Sequence, residues 1–167
     1  MMDKTSLLKK RQALLQQQQL AQRLALHKEL LSCLDAHHID YQLCFDNPAI
    51  QWLQDNFAWH FSGLDFAQIV GAKKQPYDSI EQRDSIIAAT LLSYLHADDQ
   101  LQIAWGNALR PELQVSLADF LRMPELFIEQ DFDCWLTHRA SGFCLEHYHE
   151  GYVLWFSQPV VSRGNRP

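Results

Sequence analysis

Asp131-Phe132-Asp133-Cys134-Trp135-Leu136-Thr137-His138-Arg139-Ala140-Ser141-Gly142-Phe143-Cys144-Leu145-Glu146-His147-Tyr148-His149-Glu150-Gly151-Tyr152-Val153-Leu154-Trp155-Phe156-Ser157-Gln158 is the stretch that decides the fold. Aromatic and β-branched residues are dense in it, and two short breaks, at 139–142 and 150–151, cut it into three pieces. Side chains of that kind pack well on a pleated, half-buried surface, and Gly-containing breaks supply tight turns. The spacing therefore predicts a three-stranded antiparallel meander.

The same stretch gathers the chain's candidate chemistry. Residues two apart on a strand share a face, so His147 and His149 are predicted neighbours, and His138 on the preceding strand is a third imidazole within reach. Three imidazoles on one sheet face suit Zn or Fe, which makes a metal-dependent enzyme or small-molecule binder the principal alternative reading. Glu146 and Glu150 fall on the opposite face with Tyr148 between them. Four residues of strand separate them by about 13 Å, too far for two carboxylates to share a proton. Strand parity also predicts that Trp135, Tyr148 and Trp155 share that face, beside Asp133, Glu146 and Glu150, with Asp131 at its edge. If the helices leave this face open, an aromatic centre with an acidic rim is a protein-binding surface; if they cover it, the aromatics are core.

Outward from the meander, the N-terminal part reads as helical. Residues 4–36 are rich in Leu, Gln, Lys and Ala, with no Gly or Pro, and predict one long helix of about 45–50 Å. Its second half, Leu20 to Leu34, is expected to pack. Residues 1–19 carry a polar run at Gln16–Gln19 and are expected to project, or to meet a second copy of the chain. Asn47-Pro48 predicts a helix start, ended by Gly63. Asp78-Ser79-Ile80-Glu81 resembles a capping box and opens a helix to about Leu95. Ile80, Ile86, Ile87, Leu91, Leu92 and Leu95 nearly encircle that helix, which predicts the central, most buried one. Leu101, Ile103 and Trp105 alternate as a strand. Ser116-Leu117-Ala118-Asp119 opens a short helix closed by Pro124, and Lys73-Lys74-Gln75-Pro76 reads as an exposed basic loop. The expected fold is α+β: N-terminal helices on a small antiparallel sheet made mainly by the C-terminal meander, in one domain over 1–161 with a mobile tail at 162–167.

Composition narrows the function. Fourteen Lys and Arg stand against 20 Asp and Glu, a formal charge of −6, and no basic patch offsets it, so nucleic acid is not an expected partner. No apolar run approaches a membrane span. No Walker loop, dinucleotide fingerprint or nucleophile motif is present, and no cofactor is implied. The four cysteines form no Cys-x-x-Cys pair and fit reduced thiols in a cytoplasmic protein; Cys134 and Cys144 fall on adjacent predicted strands, but a disulfide there needs an oxidising compartment, and Cys144 beside His138 or His147 as a Cys–His pair competes with its reading as a small core residue. The best reading is a small acidic protein that binds a basic protein, with an immunity or antitoxin protein occluding a nuclease toxin as its concrete form. An oligomeric scaffold assembled through the first helix is a further alternative.

Overall fold

The computed structural model describes residues 4–61 and 63–158; the tail predicted for 162–167 lies outside them. The architecture is α+β. Helices α1 (Lys4–Ala25) and α2 (Lys28–Ala36) lead to strand β1 (Gln42–Cys44), α3 (Pro48–Asn56), the short strands β2 (Trp59–His60) and β3 (Gly63–Leu64), and edge strand β4 (Lys73–Pro76). Helix α4 (Ile80–Tyr94), strands β5 (Gln100–Trp105) and β6 (Glu112–Ser116), and helices α5 (Leu117–Arg122) and α6 (Pro124–Ile128) follow. The meander β7 (Cys134–His138), β8 (Phe143–Tyr148) and β9 (Tyr152–Ser157) comes last among the described residues. Seven strands form one antiparallel sheet in the order β1-β6-β5-β7-β8-β9-β4, and β2 pairs with β3 separately.

The meander turns where its breaks predict. Gly142 and Gly151 adopt positive φ at the two turns, a conformation that glycine enters without a Cβ clash. The β2–β3 hairpin escaped the pattern, and so did two strands of the large sheet, β4 and β6. Lys73–Pro76 is not a loop but the edge strand beside β9, with Lys73 opposite Trp155 and Pro76 opposite Tyr152. Lysine and proline there suit an edge, since Pro needs no ladder donor on the open side and charge discourages further pairing. Residues 112–116 join β5 to the short β1.

Both faces of the sheet are covered. Directly opposed residues across a ladder share a face. The registers Ile103–Leu136, Leu136–Leu145 and Leu145–Trp155 therefore define one face, and Ala104–Trp135, Trp135–Glu146 and Glu146–Leu154 the other. Leu30 and Leu34 of α2, Ile87 and Leu91 of α4, Phe120 of α5 and Phe127 of α6 pack on the first. Ala49 and Leu53 of α3 and Leu64 of β3 pack on the second, around Trp135, Cys144 and Phe156. The sheet centre therefore offers no open aromatic surface: Trp135 is core. Trp155 does not join Trp135 and Tyr148. Tyr148 lies opposite Tyr152, so the three-residue turn keeps even-numbered residues together and sends Trp155 to the helix-covered face.

The first helix is two. Its break at Leu26–His27 has a direct cause. His27 is buried, its ring 4.8 Å from that of Trp105, and its Nε2 donates to the Pro111 carbonyl at 2.7 Å. Arg110 donates to the Leu26 carbonyl at 2.8 Å, replacing a helical partner. Packing begins at Arg23 and Leu24, later than expected, and residues 5–22 are exposed along their length. Helix α4 is buried on one side only: Arg83, Ile86, Ile87, Thr90 and Leu91 face the sheet while Ile80 and Leu92 face solvent. It is an outer layer over one sheet face, not a central helix. Its cap is Ser79, which accepts from Gln82 N at 3.1 Å while Gln82 Oε1 accepts from Asp78 N at 2.7 Å, so the reciprocal box lies one residue beyond the predicted one. Ser116 caps α5 as predicted, accepting from Asp119 N. Gly63 does not end α3, which stops at Asn56; it belongs to the β2–β3 hairpin.

Candidate functional site

On the second sheet face, α3 covers one part and the β2–β3 hairpin another, and beyond the hairpin an open groove of about 410 Å³ remains. His60, Gly63 and Phe66 form one wall. Lys74, Tyr148, Glu150, Tyr152 and Leu154 form the other, with Glu146 also lining the groove. The hairpin divides this groove from a smaller cleft of about 210 Å³ on its far side, bordered by Ile50, Trp59, Phe61, Ala108 and Glu112. Register produces the groove wall: Glu146 opposite Leu154 and Tyr148 opposite Tyr152 put four alternate side chains of β8 and β9 together.

Glu146 is only 2% exposed. Burial pushes its carboxyl up to about 8; the nearby Trp135 indole draws it down, the Asp133 carboxylate raises it, and the Leu64 backbone N–H lowers it. Neither Trp135 Nε1 nor Glu146 Oε2 completes a hydrogen bond of ordinary geometry, so a polar pair stands unsatisfied at the base of the wall. Gly63 packs closely there: a Cβ on it would meet Glu146 Oε1 at 2.8 Å, and the buried carboxyl would have to shift. Across the groove, Lys74 Nζ sits 3.6 Å from the centroid of the Tyr152 ring, a close cation–π contact.

Asp131 and Asp133, the other two carboxylates predicted for a binding face, lie at the end of the sheet where β5 and β8 finish and β7 begins. Asp131 Oδ2 accepts from Asn107 N at 2.7 Å and its Oδ1 from Phe132 N at 2.8 Å. Asp133 Oδ1 accepts from both His149 N, at 3.1 Å, and His149 Nδ1, at 2.8 Å. Between these two fixed carboxylates the Phe132 side chain stands out, 78% exposed, with the His149 ring edge-on at 6.1 Å. Leu109, in the β5–β6 turn, and Phe61, at the hairpin tip, are exposed as well.

The three imidazoles considered as metal ligands do not converge. His138 lies at one end of β7, opposite Phe143, and His147 is opposite Cys134 at the other end. His138 Nδ1 is 2.8 Å from Ser141 Oγ. His147 is on the helix-covered face, its Nε2 2.7 Å from Tyr77 Oη, with its pKa lowered to about 4 by burial first and by the Arg83 guanidinium next. His149 has left strand geometry for the turn and is held by Asp133. Among the described residues no group of three or more His, Cys, Asp or Glu side chains could hold a metal ion. Cys134 and Cys144 point to opposite faces, which removes the disulfide, and Cys144 shares a face with neither His138 nor His147, which removes a Cys–His pair. Burial holds both thiols well above their usual range.

Of the residues predicted for a binding face, Glu146, Tyr148 and Glu150 come together along the groove, Asp131 and Asp133 flank Phe132, Trp135 is the floor beneath the hairpin, and Trp155 is elsewhere. Gly63, Lys74, Tyr152, Phe132 and Phe61 were not predicted. Phe132 had a signal, an aromatic set between two aspartates just before a strand. Lys74 had none, because a strand of Lys, Lys, Gln and Pro has no alternation to read. Glu112 was missed too: its buried carboxylate accepts from Ala49 N at 2.8 Å and Ile50 N at 3.0 Å, capping α3 in place of Asn47. No family model matches the chain, and no curated protein matches it in sequence. No helix among the described residues is long and apolar enough to cross a membrane.

Proposed function

We propose that the protein works by binding a basic protein through the acidic, aromatic end of its sheet. The observation that carries this reading is Phe132, an aromatic ring in solvent on a turn pinned by hydrogen bonds to Asp131 and flanked by Asp133. A rigid, exposed aromatic loses little entropy on docking, and carboxylates around it steer a cationic partner. Leu109 and Phe61 supply further apolar surface, Glu150 further charge, and the net charge of −6 acts at longer range. An immunity or antitoxin protein that covers the basic surface of a nuclease is the concrete form of this proposal. Four cysteines without a disulfide are compatible with its expected place in the cytoplasm.

The test is recovery from native extract with the unaltered protein and with Phe132→Ala. The unaltered protein brings down a basic partner and the variant brings down much less, with circular dichroism unchanged because the ring contributes nothing to the core. Recovery of the protein alone, or equal recovery by both, argues against the proposal.

A second reading has its own support. Leu7, Leu8, Leu14, Leu15 and Leu20 of α1 are all exposed, and a helix that buries so little of its apolar surface is marginal in water. Assembly through α1 would bury those leucines. Light scattering with and without residues 1–19 separates the two: loss of mass on deletion supports assembly, and an unchanged monomeric mass removes it.

A further inference from the structure

We propose that helix α1 is a basic arm that docks on the acidic, aromatic sheet end of a second copy of this chain, the two copies exchanging arms about a two-fold axis. The proposal rests on the reading of that sheet end as a surface for a basic protein, and it gives assembly through α1 a specific receptor.

The first observation is charge. The formal charge of −6 conceals two unlike parts. Residues 4–28 hold six Lys and Arg and no Asp or Glu, whereas residues 29–158 hold six Lys and Arg against nineteen Asp and Glu, a charge of +6 against −13. Lys9, Lys10 and Arg11 of α1 are exposed. Leu7, Leu8, Leu14 and Leu15 are exposed too, and at helical spacing they fall on one side with Arg11 among them. Such a helix fits a surface that takes leucines and cations together. Nucleic acid would leave the leucines in water, and both nucleic acid and an anionic membrane would repel the acidic body. The body of a second copy attracts the arm and offers it apolar surface.

The second observation is where the arm is rooted. Arg23 donates to the carbonyls of Leu109 at 3.0 Å and Phe45 at 2.8 Å, and to Asn47 Oδ1 at 3.1 Å. Leu109 belongs to the β5–β6 turn, whose Asn107 N–H is held by Asp131. One short turn therefore joins the root of α1 to the segment that bears Phe132. The registers bring the ends of β1, β5 and β8 and the starts of β6 and β7 to this same end of the sheet. The exposed Asp46 and Glu150 and the half-buried Asp131 share it with the exposed Phe132 and Leu109. The 22 residues of α1 extend about 33 Å, enough to cross the end of a domain of this size. An arm that leaves from the end it docks on lets two copies exchange arms reciprocally, so the assembly closes as a dimer instead of growing into a filament.

The test is sedimentation equilibrium of the purified full chain. A single helix makes a small interface, so the dissociation constant is expected on the order of 100 μM, weakening as salt is raised. Two charge-reversed proteins are compared with it. One carries Lys9→Glu, Lys10→Glu and Arg11→Glu on the arm; the other carries Asp46→Lys and Glu150→Lys on the sheet end. Each by itself is expected to associate about tenfold more weakly, because like charges then face one another. Circular dichroism should be unchanged, since all of these side chains are exposed. An equimolar mixture of the two should form a heterodimer of nearly the original strength, as each arm again meets opposite charge. Self-association of the sheet-end variant at full strength would overturn the proposal and leave arm-to-arm pairing. A monomer at every concentration, or co-sedimentation with phosphatidylglycerol vesicles in place of self-association, would overturn it as well. The two readings fail separately. A dimer lost on charge reversal, with no other basic protein recovered from native extract, leaves the exchange and removes the foreign partner. A foreign partner recovered through Phe132 by a chain that stays monomeric does the reverse.

Discussion

Glu146 and His147 are adjacent in sequence and lie on opposite faces, and both are buried in their neutral forms. Their effects on stability have opposite signs. The Glu146 carboxyl is raised from 4.5 to about 8, so its contribution is fully present below pH 4.5 and is lost as pH rises through 8. The His147 imidazole is lowered from 6.5 to about 4, so its contribution is present above pH 6.5 and is lost as pH falls through 4. Between pH 4.5 and 6.5 the two slopes oppose each other. Between 6.5 and 8 only Glu146 acts, and stability should fall with pH by at most about 1.4 kcal/mol per unit. Urea unfolding at pH 6.5 and 8.5 should show this decline in the unaltered protein and a flatter profile in Glu146→Gln; equal declines in both would place the titrating group elsewhere. Gly63→Ala should destabilise the fold by about 1–3 kcal/mol in the same assay, through overpacking against the Glu146 carboxyl.

At the scale of elements, α4 and α1 make contrasting predictions. Ile87 is fully buried and Leu92 faces solvent. Ile87→Asp should therefore abolish cooperative thermal unfolding, because an unpaired charge in the core costs several kcal/mol, while Leu92→Asp should leave the midpoint nearly unchanged. Equal damage from both would mean that the outer side of α4 is covered. Deleting residues 1–19 should leave the domain's unfolding midpoint unaltered, since residues 5–22 are exposed. These elements also show what the sequence carried. The meander was legible because its alternation and its glycines act locally, and Ser116 because capping is a property of four residues. The break at His27 was not legible, since Trp105, Arg110 and Pro111 cause it from more than 75 positions away. Nor was β4, which has no apolar period and exists because β9 offers it a ladder. The apolar residues of α4 suggested burial all round; only the layer order reveals that a single sheet lies beneath it.

At the scale of the whole molecule, layering decides where a partner can bind. Parity alone placed aromatics and carboxylates together without saying which side the helices take. With both faces covered, the open chemistry moves to one end of the sheet and to the groove beside the hairpin, where Asp131, Tyr148 and Glu150 reach solvent, Asp133 and Glu146 lie buried beneath, and Trp135 and Trp155 are packing. A net charge of −6 should make association with a basic partner fall steeply with ionic strength, with Glu150→Lys slowing the on-rate and Phe132→Ala speeding the off-rate. The most direct measurement places a photo-crosslinking amino acid at position 132, and in a separate protein at position 92 on the outer side of α4, and irradiates each in native extract. The predicted result is a discrete adduct with a basic protein from position 132 and none from position 92. No adduct from position 132, or the same adduct from both positions, would contradict the account.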